Sequence, residues 1–225
     1  MAATWRSTQK ADRRARLLRE AAALFAERGF AAVTTVELGE AVGMSGPALY
    51  RHFASKEAVL TELLIDASER LLEGCDAIVG ESPGPLDAAA ARAVLARLIA
   101  FHMEFATAEP DVIRIQDREL AGLPRDAGHR VRRLQRQYVD AWDAVLAAAR
   151  PDLAPAERET RLLGVFGLLN STPHSVAAGA DDARAAAAAI LGRMAERALV
   201  GAGAGADEAL SAADSLRADS YPGGT

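Results

Sequence analysis

The segment that most constrains the fold of this 225-residue chain is residues 34–56. It reads TTVELGEAVGMSGPALYRHFASK. Thr34 or Thr35 can cap a short helix that runs through Val42, and Thr34 with Glu37 has the spacing of a capping box. Gly43 then supplies a turn residue that tolerates a positive φ angle. The segment therefore predicts a short helix that ends in a tight turn.

A second short helix is predicted directly after this turn. Ser45 is a good N-cap, and Pro47 falls in the first helical turn, where its missing N–H costs little. Two short helices joined by a glycine turn form a helix-turn-helix. We expect the two helices to cross most closely at Gly39 and to bury apolar side chains from both of them: Leu38, Val42, Met44, Leu49 and Phe53. Three consecutive polar or aromatic side chains then remain on the outer face: Tyr50, Arg51 and His52.

The rest of the chain also reads as helical. Alanine, the best helix former, recurs throughout, and the alternation of polar and β-branched residues that marks a strand is absent. An apolar stripe predicts a first helix from Lys10 to Glu27, closed by Gly29. Ser55 caps a long helix over 56–79, and a Pro/Gly linker follows at 80–88. Further helices are predicted at about 87–107, 111–121, 125–149, 156–178 and 181–200, which makes about nine in an all-α protein.

Charge and cysteine content limit the kinds of function. Residues 1–60 hold nine Lys/Arg and six Asp/Glu, whereas the remainder holds 17 and 25, so only the N-terminal part is basic. A basic module on an acidic protein can bind a polyanion locally. The single cysteine, Cys75, excludes an intrachain disulfide and a cysteine-cluster metal site, and we expect a buried thiol. No apolar run is long enough to span a membrane, so a cytoplasmic protein is expected. No metal or cofactor is expected either.

The motif L-Y-x-H-F-x-S-K-E, within a wider pattern from about Arg13 to Leu64, resembles the DNA-binding domain of the tetracycline-repressor (TetR) family. The resemblance implies a helix-turn-helix DNA-binding domain over 1–56 and a helical ligand-binding and dimerisation bundle over 57–200. The helix 56–79 would connect the two parts, and the tail 201–225 is expected to be disordered. It also implies a homodimer on a palindromic operator in double-stranded DNA.

The resemblance assigns DNA contacts residue by residue. Thr34 or Thr35 would touch phosphate from the start of the second helix, and Tyr50, His52 and Lys56 would contact the phosphate backbone. Base edges would be read from the next helix, with Arg51 as the best guanine reader, by Ser45, Gly46, Pro47, Ala48 and Arg51. The sequence has Gly-Pro-Ala where many members carry a cation with Gly-Thr, which favours apolar contacts of Pro47 and Ala48 with thymine methyl groups. A basic N-terminal arm would add phosphate or minor-groove contacts from Arg6, Lys10, Arg13 and Arg14.

Two other classes of protein are alternatives to a DNA-binding regulator. A small helical hydrolase would need a nucleophile elbow or a metal motif, and neither occurs, so we expect no catalytic residues and no enzyme activity. A purely dimeric scaffold would leave the exposed group at 50–52 unexplained. A DNA-binding dimer that has no small-molecule inducer remains an alternative.

The C-terminal part contains an interrupted apolar helix, FGLLNSTPHSVAAG, at 166–179. Its polar residues at 170–174 face a ligand cavity, or they form a satisfied polar cluster within a dimer interface, or they cap a kink at Pro173. The aromatic and apolar residues nearby are either core or pocket wall. If they line a pocket, a hydrophobic small-molecule effector would contact Phe101, His102, Met103, Phe105, Ile113, Tyr138, Trp142, Phe166, Asn170 and His174. We expect the last two helices to build the dimer interface from Leu162, Leu163, Val165, Phe166, Leu169, Ile190, Leu191 and Met194.

Overall fold

The computed structural model describes residues 2–41, 43, 53–82, 84–172 and 181–201, with the side chains of 2–13, 181, 182 and 184 left aside. Within those residues all regular structure is helical, which confirms the all-α prediction. The helices are α1 (Ala2–Arg28), α2 (Thr35–Ala41), α3 (Lys56–Gly80), α4 (Ala88–Ala108), α5 (Pro110–Glu119), α6 (Arg125–Ala149), α7 (Pro155–Asn170) and α8 (Asp181–Val200). A 3-10 turn at Leu120–Gly122 follows α5.

Helix ends follow the local chemistry of their flanking residues, as predicted for Ser55 and Gly29. The Ser55 hydroxyl accepts a hydrogen bond from the Ala58 N–H at 3.2 Å, and the Asp87 carboxylate accepts from Ala90 N–H at 2.8 Å. Gly29 closes α1 with φ 82°, in the left-handed region that favours glycine. These caps fix where α1 ends and where α3 and α4 begin.

Two helix boundaries differ from the predictions by several residues. α1 begins at Ala2 instead of Lys10, because no glycine or proline interrupts residues 2–28. The helix predicted over 156–178 ends at Asn170. A proline at 173 has no N–H to donate to the Leu169 carbonyl, and the Thr172 hydroxyl donates to that carbonyl instead, at 2.7 Å.

The first hydrophobic core joins the N-terminal helices to part of the C-terminal region. Phe25 of α1, Leu38 of α2 and Leu64 of α3 are almost completely buried in it, together with Ile115 of α5 and Val131 of α6. The Arg118 guanidinium of α5 also donates to the Ala26 carbonyl of α1 at 2.8 Å. α5 and the start of α6 therefore complete this core from the C-terminal part of the chain.

The second core lies between the remaining part of α3 and helices α4, α6, α7 and α8. Its fully buried members include Cys75, Leu98, Trp142, Leu162 and Leu199. The thiol of Cys75 is buried as expected, and burial raises its pKa to about 12. α3 and α6 both contribute buried residues to the two cores, so they connect one core to the other.

Candidate functional site

The N-terminus of α2 is a complete capping box. The backbone N–H and the hydroxyl of Thr34 both donate to the Glu37 carboxylate at 2.8 Å, while the Glu37 N–H donates to the Thr34 hydroxyl at 3.3 Å. The Thr34 N–H, together with its hydroxyl and Arg28, holds the pKa of Glu37 below its usual value. Of the two possible caps, Thr34 is the one used, and Thr35 is the first residue of the helix.

The turn after α2 has the predicted conformation. Gly43 has φ 67°, and its N–H donates to the Glu40 carbonyl at 3.0 Å. Leu38 and Phe53, predicted to lie in the interface of the helix pair, are buried. The predicted base-reading helix lies outside the described residues, and with it seven predicted DNA contacts: Ser45, Gly46, Pro47, Ala48, Tyr50, Arg51 and His52.

Lys56 is held by the protein's own backbone. Its Nζ donates to the carbonyls of Phe30, Ala31 and Val33 at 2.8, 3.1 and 2.9 Å, and it lies 4.6 Å from the centre of the Phe30 ring. An ammonium group has three N–H donors, so these contacts occupy all of them. A phosphate contact by Lys56 remains a prediction, and it would require at least one of these hydrogen bonds to break.

The basic arm is described only at its end. Arg14 pairs with Glu62 of α3, and its guanidinium lies 5.6 Å from the centre of the Phe53 ring. Both contacts hold α1 against the start of α3. The side chains of Arg6, Lys10 and Arg13 lie outside the described residues.

In the second core, three of the predicted polar residues meet in one hydrogen-bonded chain. His102 Nδ1 lies 3.1 Å from the Tyr138 hydroxyl, and His102 Nε2 lies 3.0 Å from Asn170 Oδ1. With the Asn170 amide placed this way, Nε2 donates to Oδ1 and Nδ1 accepts from the hydroxyl. Burial lowers the pKa of His102 to about 4 and raises the pKa of Tyr138, so both groups are uncharged at neutral pH.

Aromatic rings surround this polar chain. The ring centre of Phe166 lies 5.0 Å from that of Trp142, 5.5 Å from that of His102 and 5.6 Å from that of Tyr138. Helices α4, α6 and α7 therefore contribute four rings and one amide to a single cluster, which we call the aromatic cluster: His102, Tyr138, Trp142, Phe166 and Asn170.

The other predicted lining residues are not members of the aromatic cluster. Phe105 packs against the first core, because the end of α4 lies next to α5 there. The centre of its ring is 5.7 Å from the Arg70 guanidinium carbon. Phe101 packs so closely on α3 that a Cβ added to Gly74 would lie 2.2 Å from its ring. Ile113 is buried outside both cores, Met103 is buried in the second core, and His174 lies outside the described residues.

Sequence reasoning missed one polar residue next to the aromatic cluster. Gln135 lies three residues before Tyr138 and seven before Trp142, which places all three on one face of α6. Among the described residues the buried Nε2 of Gln135 has no hydrogen-bond partner, whereas the buried N–H of Trp142 acts on the Tyr138 hydroxyl and partly offsets the rise in its pKa. The helical spacing of 135, 138 and 142 was the available signal.

Two surface grooves flank α3 near the N-terminal helices. One of about 630 Å³ lies between α1, α3 and the start of α6, and its walls carry Arg14, Glu62 and Arg130. The other, of about 290 Å³, lies where α1 meets the α4–α5 junction, beside the Arg70–Glu109 ion pair. Their charged walls differ from the mostly apolar lining predicted for an effector site.

Comparison with known proteins identifies both parts of the chain. Residues 17–63 match the family model described as bacterial regulatory proteins, tetR family, and residues 88–174 match the tetracyclin repressor-like C-terminal domain. The HTH-type transcriptional repressor KstR2 of Mycobacterium tuberculosis is 41% identical over 76 residues, which span 34% of this chain and 38% of that protein. KstR2 of Rhodococcus jostii is 32% identical over 144 residues, 64% of this chain and 68% of the relative.

The chain belongs to the TetR family. Solved structures of TetR-family regulators show the same fold. The ketosteroid transcriptional regulator KstR2 of M. tuberculosis aligns with a TM-score of 0.68 at 23% identity, covering 84% of this chain and 95% of that one. FadR of Bacillus subtilis, solved with stearoyl-CoA, aligns with a TM-score of 0.63 at 16% identity, covering 83% and 98%. In this TetR-family chain, none of the described helices is long and apolar enough to cross a membrane.

Proposed function

We propose that this protein is a DNA-binding transcriptional repressor that acts as a homodimer and leaves its operator when an apolar small molecule binds. It has no enzymatic activity in this proposal. The observation that carries the proposal is the N-terminal match to the TetR family over residues 17–63, with the capping box of α2 and the positive-φ turn at Gly43 in place. These features form a helix and a turn directly before the residues predicted to read bases.

DNA contacts are proposed as the sequence predicts them. Base edges are read from residues 45–48 and by Arg51, and phosphates are bound by Tyr50, His52 and the N-terminus of α2. That terminus presents the positive end of a helix dipole to a phosphate, while the Thr34 and Glu37 N–H groups are engaged in the capping box. The net positive charge of residues 1–60 supports the same interaction.

A homodimer is supported by exposed apolar side chains on the last two helices. Leu163 of α7 and Ile190 and Met194 of α8 are 58%, 50% and 49% exposed. Of the other apolar residues expected at this interface, Leu162, Val165, Leu169 and Leu191 are buried in the second core, whereas Phe166 packs against that core and is partly exposed. The proposed interface therefore consists of Leu163, Phe166, Ile190, Met194 and the small residues between them.

An apolar effector is supported by the relatives and by the second core. FadR was solved with stearoyl-CoA, and the related KstR2 is named a ketosteroid regulator. For this chain we propose that the effector binds at the aromatic cluster. A ligand shifts an equilibrium only through its different affinity for the two states, so the effector must favour the DNA-free form.

The route from effector to DNA runs through α3, α4 and α5. Arg70 of α3 donates two hydrogen bonds to Glu109, between α4 and α5, at 2.5 and 2.7 Å. α5 in turn holds α1 through its buried Val112 and Ile115 and through Arg118. A displacement of α4 by ligand therefore moves α5, and with it the helices that orient the DNA-reading residues.

Selection of duplexes from a random library with the full-length protein tests the DNA-binding part. We expect enrichment of a palindrome whose half-sites lie one helical turn or a multiple apart, bound with an affinity that falls steeply with salt. Arg51→Ala should relax preference at one operator position, whereas Tyr50→Ala should weaken binding on all sequences. Recovery of no enriched sequence would contradict DNA recognition.

The effector part has a separate test. Hydrophobic metabolites that raise the melting temperature are added to the protein–operator complex, and release is measured by fluorescence anisotropy. Stabilising compounds that leave the complex intact at saturation would remove the inducer from the proposal and leave the DNA-binding assignment in place.

A further inference from the structure

The start of α6 carries a concentration of positive charge in an otherwise acidic part of the chain. Residues 61–225 hold 17 arginines and 25 acidic residues, and five of these arginines fall within 125–136, where Asp126 is the one acid. Arg130 donates to the Glu69 carboxylate of α3 at 2.5 Å. The remaining four are exposed, and no described residue forms an ion pair or a hydrogen bond with them: Arg125, Arg132, Arg133 and Arg136. Their charge is therefore available to a partner.

The four unpaired arginines lie on one face of α6. At 3.6 residues per turn they fall within about 100° of one another around the helix, on the side away from the buried Val131 and Tyr138. At 1.5 Å per residue they extend over about 16 Å of the helix axis. We call this face, together with the exposed His129 that lies on it, the arginine strip: Arg125, His129, Arg132, Arg133 and Arg136.

Gly128 brings one of these charges closer to the start of α6. A Cβ at Gly128 would lie 3.1 Å from Nη2 of Arg132, so the missing side chain leaves room for the Arg132 guanidinium over the preceding turn. Its charge therefore lies near those of Arg125 and His129, at the end of the strip where α6 begins.

The arginine strip begins beside the N-terminal helices and leads away from them. Val131 is buried in the first core and Ala127 packs against it, next to residues of α1, α2 and α3. From there α6 runs to the second core, where Trp142 and Leu146 are buried. A straight duplex held by the N-terminal helices could meet only the first end of the strip, whereas a duplex that bends towards the protein could follow its length.

The chemistry of the strip suits a phosphate backbone. Each strand of a duplex carries one phosphate per 3.4 Å of axis, so about 16 Å of strip spans about five phosphates of one strand. A guanidinium binds phosphate through two parallel N–H donors and never loses its charge. An acidic protein segment also offers anions, but DNA is favoured because the chain is a DNA-binding regulator and the strip shares a core with its DNA-binding helices.

We propose that the arginine strip is a second DNA-contact surface, which binds the phosphate backbone of the duplex beyond each operator half-site. The flanking duplex bends towards the protein and places phosphates against Arg125, Arg132 and Arg136. The strip adds affinity without reading bases, since it contacts only the backbone. The inference rests on the proposed function, because the strip acts on DNA that the N-terminal helices already hold.

Two duplexes and a salt series test the proposal with the full-length protein. The short duplex is the most enriched sequence from the random library, and the long duplex carries about one further helical turn of arbitrary sequence at each end. Fluorescence anisotropy measures the affinity of both at several salt concentrations. We expect the slope of log affinity against log salt to be steeper on the long duplex, by about 0.9 for each phosphate that the strip binds.

The variant Arg132→Gln/Arg136→Gln should remove the part of this difference that its two guanidiniums supply, about 0.9 for each arginine replaced in each protomer. Its affinity for the short duplex should stay within about twofold of the wild type, because neither side chain reaches that duplex. Arg132→Lys/Arg136→Lys keeps the charge and should retain most of the difference. Arg92→Gln is the matched control, since Arg92 is exposed near the start of α4, beside the second core, and its loss should change neither slope.

Three outcomes would overturn the inference. They are equal salt slopes on the two duplexes for the wild type, equal effects of the strip variant and Arg92→Gln, and a strip variant that loses binding to poly-glutamate while its DNA slopes stay unchanged. The last result would assign the strip to an acidic protein segment. A wild-type protein that binds the short duplex without any effect of its extension contradicts only the inference, whereas one that binds neither duplex contradicts the proposed function as well.

Discussion

At the scale of single residues, Lys56 shows how a motif residue can have a structural role. Its position after Ser55 fits a phosphate contact, but its ammonium is bound to three carbonyls of the segment between α1 and α2. That segment sets the angle at which α2 leaves α1. We therefore expect the largest effect of Lys56 on the stability of the N-terminal helices.

Lys56→Met should lower the free energy of unfolding by about 1–3 kcal/mol, because three carbonyls lose a charged donor. Arg16→Met, at an exposed position of α1, is the matched control and should change stability by less than about 0.5 kcal/mol. Chemical denaturation measures both variants. If stability were unchanged and the slope of log DNA affinity against log salt concentration were smaller by about one, Lys56 would instead be assigned to a phosphate.

His102 makes the stability of the protein depend on pH. Its pKa is lowered from 6.5 to about 4 by burial, so the unfolded state binds the proton more readily than the folded state. Its contribution to the free energy of unfolding is constant above pH 6.5 and is lost as the pH falls towards 4. The loss amounts to about 3 kcal/mol over the whole window. His102→Gln should be less stable at neutral pH but should show a flatter decline in this window, measured as melting temperature against pH. Parallel curves for the two proteins would exclude His102 as the source.

At the scale of helices, the contact between α3 and α4 depends on the absence of a side chain at Gly74. A Cβ there would lie 2.2 Å from the Phe101 ring, so the helices would have to separate. Gly74→Ala should cost about 1–3 kcal/mol of stability from overpacking. Gly80→Ala is the matched control on the same helix, since nothing lies within 4 Å of an added Cβ.

The double variant Gly74→Ala/Phe101→Leu should recover part of the loss, because the smaller side chain removes the overlap. Thermal unfolding of the four proteins gives the coupling energy between the two positions. Additive effects would show that the α3–α4 spacing is set elsewhere.

At the scale of the whole molecule, dimerisation should depend on the apolar face shared by α7 and α8. Met194→Asp places a charge where 49% of the methionine is exposed in the protomer, and it should convert a dimer of the 23.7 kDa chain into a monomer. Val36→Asp is the control, as Val36 is 57% exposed on α2, away from that face. Light scattering at micromolar concentration measures both. A wild-type monomer, or a Met194→Asp dimer, would contradict the proposed interface.

The sequence by itself determined the local features of this protein. The caps at Thr34, Ser55 and Gly29 and the turn at Gly43 were predictable because each depends on a few neighbouring residues and on their own backbone preferences. The TetR-family resemblance was also readable, since the motif residues are close together in the chain. The predicted contacts at 45–52 stay predictions, because they lie outside the described residues.

Only the tertiary structure decided which distant residues meet. His102, Tyr138 and Asn170 come from three helices and are 36 and 68 positions apart in the two hydrogen bonds that join them. The same holds for Lys56, whose carbonyl partners lie 23 to 26 residues earlier, and for Phe105, which packs in the first core instead of the aromatic cluster. Helical periodicity shows which face of a helix is apolar, but it does not show which helix covers that face, because many packings bury the same stripe.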